Sequence, residues 1–288
     1  MLIDDNMNKG SEKALQSLLS VGTCTSRDLA VWDVRNARLK FSLDVGHSQD
    51  FTAISKVHKA VICGSADSGI ITTVSLTRGS VDHVSESHVY RGMTDLAVSE
   101  ESVFVATPTN GVVMLSLICS EAAGRLCDPD GPSVPTKLLV NDTQLIVGYR
   151  HGLVLVYDLV TQTVVHSLPG HSARVNTLHL LATGQLISAA DDHRAIIWNR
   201  RDVAVETVTW AEQVRGGDDV TACDVSCMTV DSSQRLVYAG SSSGDVHVWD
   251  VETGQCLFSS HLSHAARRDF SSHVSVASPI APPPNHPG

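Results

Sequence analysis

Four residues close to one another in the sequence carry side chains that could do acid–base or metal chemistry. Asp191, Asp192 and His193 are consecutive in the segment DDHRAIIWN, and His171 precedes them. Carboxylates beside imidazoles can share a proton or hold a metal ion. No further histidine or cysteine stands at metal-ligand spacing, and the sequence has no GxSxG, phosphate-loop or HExxH motif. The role of this stretch therefore depends on the elements that position it.

Short apolar strands recur along the chain at a regular spacing. Six segments share an apolar strand, a turn of small residues and a second apolar strand, beginning at Leu18, Val61, Val103, Leu145, Leu186 and Leu236. The penultimate position of the second strand falls at Trp32, Val74, Ser116, Tyr157, Trp198 and Trp249, in steps of 41 or 42 residues and a last step of 51. Apolar runs before and after these segments predict four strands per repeat, in sheets that stack to bury their faces.

Paired signature residues mark several repeats. The second strand ends in Trp32-Asp33, Tyr157-Asp158, Trp198-Asn199 and Trp249-Asp250, and Gly46-His47 and Gly170-His171 open two repeats. Because of these dipeptides and the repeat period, the sequence resembles the WD40 family over about residues 18 to 260. The resemblance implies an all-β, WD40-type β-propeller with six recognisable four-stranded blades, or seven if one is degenerate or missing.

The resemblance also implies a structural role for the opening stretch. One blade of such a propeller can carry a hydrogen-bonded quartet, and the fifth repeat supplies His171, Ser188, Asp192 and Trp198 at the matching positions. We interpret these residues as a buried structural brace rather than a catalytic or metal site, because the repeat explains their spacing.

Three other residues are candidates for contact with a partner. His193 replaces the turn glycine of other repeats, so we expect it to be exposed at a blade edge beside Asp191. Trp210 lies in the insertion that lengthens the last step. A tryptophan on an extended loop can anchor a partner, or it can fold back on the blade edge.

Composition limits the classes of function. The chain has 288 residues, 42% of them hydrophobic, with 31 acidic against 21 basic residues and a formal net charge of -10. This charge argues against a nucleic-acid-binding surface, and no local basic face is visible as a run. The seven cysteines form no CxxC pair, and no apolar run could span a bilayer. Because the acidic first residues MLIDDNMNKG are not followed by an apolar core, we expect no signal peptide. We expect a soluble, cytoplasmic or nuclear protein without a cofactor.

The carboxyl-terminal residues change composition. We divide the chain into a propeller over 1–260 and a proline-rich tail over 261–288. One hypothesis is that residues 273–277 (HVSVA) complete the first blade and close a six-bladed ring, since residues 1–3 are a poor inner strand. The competing hypothesis is that part of a larger propeller is missing.

The predicted function is a non-catalytic scaffold or adaptor in a multiprotein complex. Its partners would be other proteins with basic or mixed surfaces, and not nucleic acid, a membrane or a small-molecule substrate. Two alternatives are a substrate receptor of a ubiquitin ligase and a ribonucleoprotein assembly factor. An alternative of another class is a propeller hydrolase with a site in its channel.

Overall fold

The protein is built of short antiparallel strands. A computed structural model describes residues 18–21, 27–33, 36–55, 57–117, 122–126, 133–199, 203–209, 225–231, 233–242, 244–253 and 255–261. These residues form six sheets, and in each sheet the strands are hydrogen-bonded in chain order. A 3-10 turn, His88–Tyr90, precedes the third sheet.

The strand bounds follow the predicted repeat. The first sheet contains β1 (Leu18–Val21), β2 (Asp28–Asp33) and β3 (Arg38–Asp44). The second contains β4 (Phe51–Ser55), β5 (Ala60–Ser65), β6 (Ile70–Ser75) and β7 (Ser80–Glu86), and the third β8 (Asp95–Val98), β9 (Ser102–Thr107), β10 (Gly111–Ser116) and β11 (Ala122–Leu126). The fourth contains β12 (Pro135–Val140), β13 (Gln144–Tyr149), β14 (Val154–Asp158) and β15 (Val164–Leu168). The fifth contains β16 (Val175–Leu180), β17 (Leu186–Ala190), β18 (Arg194–Asn199) and β19 (Val203–Thr209), and the sixth β20 (Val225–Val230), β21 (Leu236–Ser241), β22 (Asp245–Asp250) and β23 (Cys256–His261).

Consecutive sheets meet through their first strands. β4 contacts β8, β8 contacts β12, β12 contacts β16, and β16 contacts β20. Four-stranded sheets arranged in this way are the blades of a β-propeller, with the first strand of each blade innermost. The predicted all-β, propeller-type fold class is therefore confirmed.

The first sheet departs from the predicted four strands. Leu19 of β1 pairs with Trp32 of β2, as Leu186 of β17 pairs with Trp198 of β18. β1 therefore occupies the second position of its blade, and within the described residues this sheet has no counterpart of β4. The two segments considered for ring closure, 1–3 and 273–277, lie outside the described residues, so ring closure and the division at residue 260 stay predictions.

The two faces of a blade pack against different neighbouring blades, because successive residues of a strand point to opposite faces. Ile196 and Trp198 pack into a cluster with Val154 of the fourth sheet. Ile197, on the other face, packs with Trp249 of the sixth. The first sheet is again different, since its Trp32 is 39% exposed whereas Trp198 is 3% exposed.

Each of three inner strands has, at or just before its start, a polar side chain that donates a hydrogen bond to the next sheet. The three hydrogen bonds run from Thr94 Oγ1 to the Pro135 carbonyl (2.6 Å), from Thr136 Oγ1 to the Val175 carbonyl (2.7 Å), and from Asn176 Nδ2 to the Val225 carbonyl (2.8 Å). The ladder register shifts at Thr136 and at Asn176. Such a bulge can re-aim a side chain, here toward the neighbouring blade. These inter-blade hydrogen bonds fix how adjacent first strands lie against each other.

Candidate functional site

The structure brings the four predicted quartet residues into one chain of hydrogen bonds. His171 lies in the loop before β16, Ser188 in β17, Asp192 in the turn after β17, and Trp198 in β18. His171 Nδ1 is 3.0 Å from both carboxylate oxygens of Asp192, and His171 Nε2 is 2.8 Å from Ser188 Oγ. Trp198 Nε1 donates to the same Ser188 Oγ at 2.7 Å. The quartet thus ties a loop, a turn and two strands together.

The direction of each hydrogen bond follows from the chemistry of the groups. An indole N–H can only donate and an ionised carboxylate can only accept. His171 Nδ1 therefore donates to Asp192, and Ser188, which accepts from Trp198, donates its hydroxyl proton to His171 Nε2. Burial lowers the pKa of His171 below its usual 6.5, against the opposing effect of the Asp192 charge. The imidazole is therefore neutral near pH 7, and each of its two nitrogens is satisfied.

The order Asp192, His171, Ser188 matches that of a serine-hydrolase triad, but the surroundings do not suit catalysis. A nucleophile must reach its substrate. Ser188 is 0% exposed, and its oxygen already accepts the indole N–H of Trp198. Asp192 and His171, which could activate an accessible hydroxyl, here join Trp198 in satisfying the hydrogen bonds of a buried one. The geometry supports a brace and gives no route for an acyl substrate to Ser188.

The two adjacent carboxylates have separate local partners. Asp192 also accepts the backbone N–H groups of Ser172 (2.9 Å) and Arg194 (3.1 Å). Asp191 accepts from the side-chain amide of Asn176, and its own N–H donates to the Arg174 carbonyl at 2.9 Å. Asp191 and Asp192 therefore hold the turn and its neighbours in place.

His193 adopts the backbone conformation of a glycine. Its φ is +63°, in the left-handed region where Gly69, Gly152 and Gly244 stand at the corresponding turns of other sheets. The residue is partly buried, whereas the sequence predicted exposure at a blade edge. Trp210, the third candidate for partner contact, lies outside the described residues.

The signature aspartates close the turns that follow the third strands. Asp158 Oδ1 accepts the N–H groups of Val160 (3.0 Å) and Thr161 (2.7 Å). The backbone hydrogen bond from Thr161 is the main cause that lowers the pKa of Asp158. Asp33 bonds in the same way to the backbone and side chain of Asn36. This role explains why an aspartate follows the aromatic residue.

Asp250 closes the corresponding turn of the sixth sheet and also binds an arginine. Its Oδ1 accepts the N–H groups of Glu252 (3.0 Å) and Thr253 (2.9 Å). Its Oδ2 accepts from Arg235 Nε at 2.8 Å. The Arg235 hydrogen bond is the main cause that lowers the pKa of Asp250 to about 2.

The signature aromatics and glycines act through packing. Tyr157 is buried and its hydroxyl lies 2.9 Å from that of Tyr149. Trp249 stacks on His247 with ring centroids 5.8 Å apart. A β-carbon at Gly170 would lie 2.5 Å from Trp198 Cη2, so glycine lets the indole approach the backbone. Gly46 has φ +84° and donates its N–H to an Asp44 carboxylate oxygen at 2.7 Å.

A second brace, which sequence reasoning missed, lies between the first and second sheets. His47 Nε2 bonds to Thr72 Oγ1 of β6 at 2.7 Å, and His47 Nδ1 donates to the Ser48 carbonyl at 2.6 Å. Cys63 stands where the fifth sheet has Ser188, and its thiol donates to Gln49 Oε1 at 3.7 Å. Burial raises the pKa of Cys63 to about 12. The dipeptide Gly46-His47 was a signal, but the hydroxyl that bonds to the imidazole lies one strand across, on β6.

In the part of the chain that the structure describes, no three His, Cys, Asp or Glu side chains are grouped so that they could hold a metal ion. No helix among the described residues is long and apolar enough to cross a membrane.

Comparison with known proteins identifies the repeat. The family described as WD domain, G-beta repeat matches residues 162–199, which end with β18, and residues 217–250, which end with β22. The chain contains WD40 repeats. The matched WD40 segments include the quartet of the fifth blade and the Trp249-Asp250 pair of the sixth.

Several known proteins are similar to parts of this chain. The chain is 28% identical over 120 residues to human NACHT domain- and WD repeat-containing protein 1, covering 41% of this chain and 7% of that protein. The mouse protein of the same name is 33% identical over 115 residues, covering 40% and 7%. Autophagy-related protein 16 of Arabidopsis thaliana is 21% identical over 237 residues, covering 82% of this chain and 38% of the relative. The chain thus spans a small part of each of these longer proteins.

Proposed function

We propose that the protein is a non-catalytic scaffold or adaptor that binds other proteins through the loops and edges of its blades. The observation that carries this proposal is the complete burial of Ser188 within an otherwise triad-like Asp–His–Ser arrangement. Polar groups that could do chemistry are used to hold the WD40 blade together. The part of the molecule presented to other molecules is then the set of loops that the blades display.

The relatives support the same class of role. They include proteins named as WD repeat-containing and as autophagy-related, in which the similar segment is a fraction of a longer chain. As part of the proposal we place the protein in the cytoplasm or nucleus, where free thiols such as those of Cys63, Cys227 and Cys256 stay reduced.

Affinity purification from cells with the tagged full chain, followed by mass spectrometry, tests the scaffold role. We expect a reproducible set of proteins that cross-link to the blade loops. A bait that recovers nothing above an untagged control would overturn the proposal.

An activity-based fluorophosphonate probe tests the non-catalytic part. We expect no labelling that depends on Ser188, with Ser188→Ala as the matched control. Labelling of the wild type that is lost in Ser188→Ala would show that the hydroxyl is a reachable nucleophile.

A further inference from the structure

Three loops at one end of the fourth and fifth blades form a continuous surface. They are the turn 150–153, the loop 169–174 and the turn 191–193. A β-carbon at Gly152 would lie 2.2 Å from the His171 carbonyl oxygen, so the first turn packs directly on the second loop. The third turn is joined to that loop by the hydrogen bond from Asp191 N to the Arg174 carbonyl (2.9 Å) and by the bond between His171 and Asp192.

Basic residues from three separate segments of the sequence lie on this surface. We name it the arginine face and define it by Arg150, His151, Arg174, His193 and Arg194. The three arginines and His151 are exposed. Arg194 is on the strand face of Ile196 and Trp198, and this face points to the fourth blade. Burial is the main cause that lowers the pKa of His171, and the charge of Arg194 lowers it further.

The carboxylates next to the arginine face are already engaged. Asp192 accepts from His171, Ser172 and Arg194 N–H groups, and Asp191 accepts from Asn176. Between described residues, by contrast, no hydrogen bond or ion pair involves the guanidinium groups of Arg150, Arg174 or Arg194; the ion pairs that are present lie elsewhere or within the quartet. Three guanidinium groups are thus presented to solvent on one loop cluster.

The chemistry of the arginine face selects a carboxylate ligand on a short chain. A guanidinium presents a planar fork of donors that matches a carboxylate in a bidentate arrangement. The whole chain carries a formal net charge of -10, so an extended polyanion would meet repulsion beyond this patch. A short acidic segment can remain within it. His193 adds an imidazole at a left-handed position, which other blades leave to glycine.

We propose that the arginine face binds a short acidic peptide segment of a partner protein. The proposal rests on the scaffold role and specifies one binding surface and the charge of its ligand. It refines the expectation from net charge, because the acidic chain as a whole favours basic or mixed partners whereas this end of two blades favours an acidic one.

Fluorescence anisotropy with the full chain tests this directly. The probe is a short fluorescein-labelled peptide of alternating glutamate and serine, and its control has glutamine in place of glutamate. We expect saturable binding of the glutamate peptide that weakens as salt is raised, since exposed charge pairs are screened. Equal binding of the two peptides, or tighter binding of a single-stranded DNA oligonucleotide than of the glutamate peptide, overturns the proposal.

Charge-neutralising variants locate the surface. Arg150→Gln, Arg174→Gln and Arg194→Gln should each weaken binding about 2- to 5-fold, and the triple variant by about tenfold or more, as expected for partly exposed ion pairs. Arg38→Gln is the matched control, because Arg38 is an exposed arginine at the start of β3, at the opposite end of its blade. Equal weakening by the control variant would show a nonspecific charge effect and refute the assignment.

The His193→Gly variant distinguishes a contribution of His193 to peptide binding from its effect on stability. Glycine adopts a left-handed conformation without a steric penalty, so this variant should raise the thermal midpoint while it weakens peptide binding. Unchanged peptide binding would remove His193 from the surface. If the triple variant retains every partner that the wild type recovers from cells, the acidic-peptide proposal fails and the scaffold role stands; if the wild type recovers no partner, the scaffold role itself fails.

Discussion

Replacement of Asp192 by alanine should destabilise the fold, because it removes the acceptor of a buried imidazole N–H. The carboxylate accepts three N–H groups, from His171 Nδ1, Ser172 and Arg194. The side chain of His171 is 0% exposed, so in Asp192→Ala its Nδ1 proton loses its acceptor in a place that water does not reach. The two backbone N–H groups belong to exposed residues and can be hydrated.

The magnitude follows from that difference in burial. An unsatisfied buried donor costs about 1 to 3 kcal/mol, whereas a donor that regains water costs little. His171 could instead move its proton to Nε2, but Ser188 would then lose the acceptor for its hydroxyl proton. Neither tautomer satisfies both nitrogens, so we expect the free energy of unfolding to fall by about 2 kcal/mol.

Urea unfolding followed by far-ultraviolet circular dichroism measures this change. The urea midpoint should fall with little change in the dependence on urea concentration, which reports the surface exposed on unfolding. The matched control is Asp142→Ala, an exposed aspartate in the turn between β12 and β13, which should be nearly neutral. Equal midpoints for Asp192→Ala and Asp142→Ala would refute the brace.

Three further predictions concern other residues. Gly152→Ala should cost about 3 kcal/mol or more, because φ is +95° and the new β-carbon would meet the His171 carbonyl; Gly46→Ala, with φ +84° but nothing within 4 Å, should cost about 1 kcal/mol, and equal urea midpoints would contradict this. Burial lowers the pKa of His171, so the neutral imidazole contributes stability that is fully present above the usual pKa of 6.5 and is lost as pH falls through the pKa of the folded protein. The urea midpoint of the wild type should therefore drop on acidification more than that of His171→Asn. Because burial raises the pKa of Cys63 to about 12, iodoacetamide should modify Cys63 only as the protein unfolds, and rapid modification of Cys63 in the folded protein, located by peptide mass spectrometry, would disprove its inertness.

The sequence predicted the parts of the fold whose signals are local. The second and third strands of the repeat are apolar because they are buried, and the segments that begin at Leu145, Leu186 and Leu236 form the strand pairs β13–β14, β17–β18 and β21–β22. The outer strand β7 is weaker in the sequence because its residues alternate between partial burial and exposure. Strand position could be read where burial demanded apolar residues, and less well at the outer edge.

The site divides along the same line. The spacing of His171 and Asp192 could be recognised because one repeat contains the whole quartet. The arginine face could not, because Arg150, Arg174 and Arg194 form no run and lie on one surface only when two blades stack. The brace at His47 was hidden in another way, since Thr72 lies on the third strand rather than the second.

The inter-blade hydrogen bonds have a consequence for how far such repeats can diverge. Thr94, Thr136 and Asn176 donate to backbone carbonyl groups of the next inner strand. A carbonyl is supplied by any residue type, so each bond constrains only one of the two positions that it joins. Proline or valine serves equally well as the acceptor. Neighbouring blades can therefore drift apart in sequence while their alignment is preserved, provided that one small polar residue stays at the entrance of each inner strand.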